Sequence, residues 1–77
     1  MNKQLIIVQL VNLLDANHID SMEAKTTLRN TKSVTWLTVA EIAFALFEYA
    51  RDEKLTKQQI ENCNIVISIL EAMAEKD

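Results

Sequence analysis

Between Val39 and Ala50 the only polar side chains are Glu41 and Glu48, which lie on one line of a helix. At 100° per residue, Ile42, Tyr49, Leu46 and Val39 gather on one side. Phe47 and Phe44 extend the apolar surface to an arc of roughly 220°, where a surface helix needs a stripe of roughly 100°. The last stretch carries the same excess. Ile60, Cys63, Ile67, Leu70 and Ala74 form a heptad-like seam, while Ile65, Ile69 and Ala72 form a second line that this seam cannot bury. The start of the chain is similar, with Leu5 to Val8, Leu10-Val11 and Leu13-Leu14 interrupted by Gln9 and Asn12.

Local chemistry sets the expected boundaries. Asp20 can cap a short polar helix over about 21–29, with Glu23 reaching back to it. Thr38 and Glu41 have the spacing of a capping box, and Leu37 can staple onto Ile42, so a third helix is expected over about 39–51. The same phrase returns at Thr56 and Gln59, with Leu55 against Ile60, opening a fourth helix over about 57–74. A first helix over about 3–16 follows from apolar content and good helix formers, with Asn17 able to take the left-handed conformation that ends it. The segment Thr31 to Leu37 reads as a loop in preference to a short strand. The three expected caps are each 18 positions apart. Similar helix and loop lengths give that spacing without an internal repeat. The chain has no Gly and no Pro, the residues that build hairpins and phosphate-binding loops. The expected fold is therefore all-α: one domain over residues 1–77, a small bundle of four helices with short connectors free of Gly and Pro.

Composition narrows the chemistry. A chain of 77 residues buries only about 60 to 65% of its unfolded surface, and small domains commonly gain stability from disulfides, a metal or a second copy. Cys63 is the lone cysteine and His18 the lone histidine, which excludes an internal disulfide and argues against zinc. The hydrophobic content is 49%, and 11 acidic against 8 basic residues give a net charge of -3. That balance marks neither a strong nucleic-acid binder nor a DNA mimic. The Met1-Asn2-Lys3-Gln4 start leads into no signal-peptide pattern, and the apolar run from Ile65 to Leu70 is far short of the roughly 20 residues needed to span a bilayer. A free cysteine fits a reducing, cytoplasmic setting.

No constellation assembles a nucleophile, a base and an oxyanion donor set, so neither catalysis, a cofactor nor a small-molecule substrate is expected. His18 falls in a turn. Cys63, on the apolar seam, is expected to act as a small hydrophobe with a raised pKa. Asp15 and Asn17 match the first and third ligand positions of a calcium loop, but Ile19, Asp20 and Thr26 break the pattern. Glu41 and Glu48 read as a solvated edge, with Arg51 expected to pair with Glu48 three residues away. The run Arg51-Asp52-Glu53-Lys54 reads as an exposed connector.

Three largely apolar helices exceed what a four-helix domain of this size can bury, so Phe44, Phe47, Ile65 and Ile69 are expected to meet another chain, in a homodimer or on a partner protein. The competing arrangement puts helix three at the centre, wrapped by the other three, with the second line of helix four packed on helix one. Thr38-Val39-Ala40-Glu41-Ile42-Ala43 is similar to the opening of the first helix in many helix-turn-helix DNA-binding domains. The resemblance covers six residues and implies, as an alternative function, a DNA-binding transcriptional regulator. The chain departs from that pattern where Phe44 to Ala50 continues without a turn. In that alternative the nucleic-acid contacts would be Lys25, Arg29, Lys32 and Lys57.

Overall fold

The computed structural model describes residues 2–76. They form α1 (Lys3–Ala16), α2 (Met22–Asn30), α3 (Trp36–Glu53) and α4 (Lys57–Lys76), with no strand among the described residues. The all-α expectation holds, and the segment before Trp36 is a loop. Each helix packs on two others in a closed ring: α1 on α2, α2 on α3, α3 on α4, and α4 back on α1. The core is one cluster fed by every helix and by two connector residues, Ile19 and Val34. Its fully buried members include Leu14, Leu28, Ile42, Leu46, Val66 and Leu70.

Two helix starts differ from expectation. In α2 the cap is Ser21, whose Oγ accepts from the Ala24 N–H at 3.2 Å. Asp20 instead accepts from the Lys25 ammonium at 3.0 Å. In α3 the helix begins three residues before the expected Val39. Thr35 is the N-cap, and Thr38, expected as the cap, is the third helical residue. The Thr38 N–H donates to Thr35 Oγ1 at 3.3 Å, and Thr38 Oγ1 accepts from the Thr35 N–H at 3.3 Å. This is a capping box in which a threonine fills the place usually held by Glu or Gln. Trp36 and Leu37 are thus helical. Val34 and Val39, both buried, hold the two staple positions that were expected of Leu37 and Ile42. The caps Ser21, Thr35 and Thr56 are 14 and 21 residues apart, so the regular spacing of 18 disappears. The helix-turn-helix-like segment lies inside α3, which runs on unbroken to Glu53.

The start of α4 matches its expectation. The Thr56 N–H donates to Gln59 Oε1 at 2.9 Å, and the Gln59 N–H to Thr56 Oγ1 at 3.2 Å. Gln59 does a second job: its Nε2 donates to the Asn17 carbonyl at 2.8 Å, tying the start of α4 to the end of α1. That end is a Schellman motif. The Ile19 N–H reaches the Leu14 carbonyl at 2.9 Å and the His18 N–H reaches Asp15 at 3.1 Å. His18 takes the left-handed backbone (φ 58°), whereas Asn17, expected there, remains at φ -103°. Lys54 takes the same role after α3 (φ 51°).

Candidate functional site

The buried face of α3 is made by Thr38, Val39, Ile42, Ala45 and Leu46. At 100° per residue the opposite face carries Trp36, Leu37, Ala40, Phe44, Phe47 and Arg51, all exposed. Because α3 packs only on α2 and α4, this face has no neighbour in the fold, and the arrangement with α3 wrapped by three helices is excluded. Leu37 is 69% exposed, Phe44 66%, Trp36 54% and Phe47 51%. The expected interface residues Phe44 and Phe47 are therefore at the surface together. Trp36 and Leu37 extend the same stripe but were not expected there, since the sequence pattern placed them in a loop.

The other half of the expected interface is on α4. Its buried residues are Asn62, Cys63, Val66, Leu70, Met73 and Ala74. Compared with the expected seam, burial is turned towards Val66 and Met73, leaving Ile60 exposed and Ile67 half-buried. The reason is that α4 must face both α3 and α1, whereas a heptad seam serves one partner. Ile65 is 47% exposed and Ile69 36%, so both reach the surface. Leu5, Val8 and Met22 are further exposed apolar side chains, on α1 and α2.

Three clefts of about 230, 300 and 320 Å³ follow the junction of α2 with α3. The first and second share Glu23, and the second and third share Thr27 and Glu41, so they form one furrow. Phe44 and Ala40 line its middle, joining it to the apolar face. Its carboxylates are Glu23, Glu41, Glu48, Asp52 and Glu53, and no lysine or arginine lines it. Asp52 accepts from Arg51 Nε at 3.1 Å. The expected pairing of Arg51 with Glu48 is thus replaced by one with its chain neighbour. Glu23, Glu41, Glu48 and Glu53 have no ion-pair partner among the described residues.

The four cations of the alternative reading do not form one group. Lys25 is buried, and its ammonium is held by Asp15 and Asp20. Burial alone would lower its pKa, but hydrogen bonds to the two carboxylates and their charges outweigh this and hold it above the ordinary 10.5. Arg29 is exposed beside a cleft of about 250 Å³ between α1 and α2. Lys32 lies exposed in the loop before α3, and Lys57 at the start of α4. Cys63 is 1% exposed, and burial pushes its thiol above the usual 9.0. Among the described residues no group of three or more His, Cys, Asp or Glu is placed to hold a metal ion. No helix among the described residues is long and apolar enough to cross a membrane. The chain matches no family model, no curated protein and no solved structure.

Proposed function

We propose that this chain is a non-enzymatic protein-interaction module, a small adaptor or regulator, that docks through the outer face of α3 onto a second copy of itself or onto another protein. The observation that supports it is the stripe of Trp36, Leu37, Phe44 and Phe47, large apolar side chains on one face that the fold does not cover. Together they expose on the order of 400 Å² of apolar surface, the size of the largest apolar patch on a typical monomer, which is often a functional one. Tryptophan, here Trp36, is also among the types most enriched where binding energy concentrates.

The test is sedimentation equilibrium over a wide concentration range, paired with thermal melts, on the wild type and on Phe44→Asp. Any self-association of the wild type should weaken by at least about tenfold, while stability changes by less than about 0.5 kcal/mol, as for a surface position. A loss of more than about 2 kcal/mol in stability with no change in association would mean that Phe44 serves the fold, and the reading falls.

A further inference from the structure

We infer that the occupant of this face is a basic amphipathic helix of another protein, with apolar anchors set on Phe44 and lysine or arginine along the α2/α3 furrow. The inference rests on reading the outer face of α3 as a docking face, and the furrow's charge chooses the partner. Glu23, Glu41, Glu48 and Glu53 border the apolar middle of the furrow, and no cation lines it. Such an arrangement rewards a ligand that brings positive charge beside apolar side chains, the helix-in-groove mode of recognition. A second copy fits it poorly. A two-fold contact through the furrow would set these carboxylates against their own duplicates, on a chain whose net charge is already -3. The furrow follows α3 from Thr38 to Glu53, which at 1.5 Å per residue is about 23 Å and accommodates a helix of about 16 residues.

The experiment is calorimetric titration of the full chain with two synthetic helical peptides of about 16 residues. Both carry leucine on one face; one has lysine on the flanks and the other glutamate at the same positions. The lysine peptide should bind one to one and lose about tenfold in affinity between about 50 and 300 mM salt, while the glutamate peptide should not bind. The double variant Glu41→Gln/Glu48→Gln should weaken the lysine peptide by about tenfold. Glu61→Gln/Glu71→Gln makes the same change in net charge at exposed α4 positions outside the furrow and should leave binding unchanged. Phe44→Ser should abolish binding, with circular dichroism confirming that each variant is folded. Equal binding of both peptides, or equal loss in both double variants, overturns the inference. If the lysine peptide fails to bind and the chain self-associates through Phe44, this inference falls and the docking face stands with a second copy as its occupant. If there is neither peptide binding nor self-association, both fall.

Discussion

At the scale of single residues, the absence of glycine leaves two helix ends in a conformation that a Cβ opposes. His18 and Lys54 both sit at positive φ, closing α1 and α3. His18→Gly and Lys54→Gly should each stabilise the fold by about 1 kcal/mol, raising the melting temperature by roughly 4 to 8 °C, while His18→Ala should give no gain. Gln59 has the opposite character, with both ends of one amide used. Gln59→Glu keeps an acceptor for the Thr56 N–H but removes the donor to Asn17 and sets a charge against that carbonyl. A loss of about 1 kcal/mol is expected in urea denaturation. Lys25 and Cys63 set the alkaline limit. Both have folded-state pKa values raised above their unfolded values, so each contribution is complete below the unfolded value and fades as pH rises through the folded one. Stability should therefore decline above about pH 9 as the unfolded thiol ionises, and further above about pH 10.5 as the lysine deprotonates. Cys63→Ala should remove the first part of that decline and Lys25→Met the second, as measured by chemical denaturation from pH 7 to 11.

At the scale of elements, α3 separates two kinds of apolar side chain only two positions apart. Leu46 is fully buried, so Leu46→Ala should cost about 2 to 5 kcal/mol, whereas Phe44→Ala should leave the melting curve almost unchanged. The apolar excess behind this contrast was legible in the sequence, because the Ile42, Leu46 and Val39 side could be recognised by periodicity alone. So was α4's first turn, where Thr56 and Gln59 follow the usual capping pattern. The start of α3 was not legible, since Thr35 and Thr38 cap each other through hydroxyls and the Thr38-to-Glu41 spacing offered a more familiar box. The cap of α2 was missed for a related reason: Asp20 and Ser21 are both good caps, and the choice was made by Lys25, a tertiary partner for the aspartate. The face α4 buries was also beyond a one-partner pattern, because Val66 and Met73 are chosen by a helix that must satisfy two neighbours.

At the scale of the whole molecule, the radius of gyration is 11.5 Å, close to the value of about 11.5 Å expected for a folded chain of this length. The exposed aromatics are therefore a property of a closed ring and not of loose packing. Consecutive helices make three of the ring's four contacts, so most contacts are local, and the Gln59-to-Asn17 bond is one of the links between distant parts of the chain. The ring leaves its single tryptophan outside the core. Trp36, on the first turn of α3, is half in water in the native state. Its emission should therefore sit near that of the unfolded chain, and denaturation should shift its colour little. Fluorescence, the usual witness to unfolding in a protein with one tryptophan, is here almost blind to the fold. A blue shift in the native protein would instead report that something has come to lie across α3.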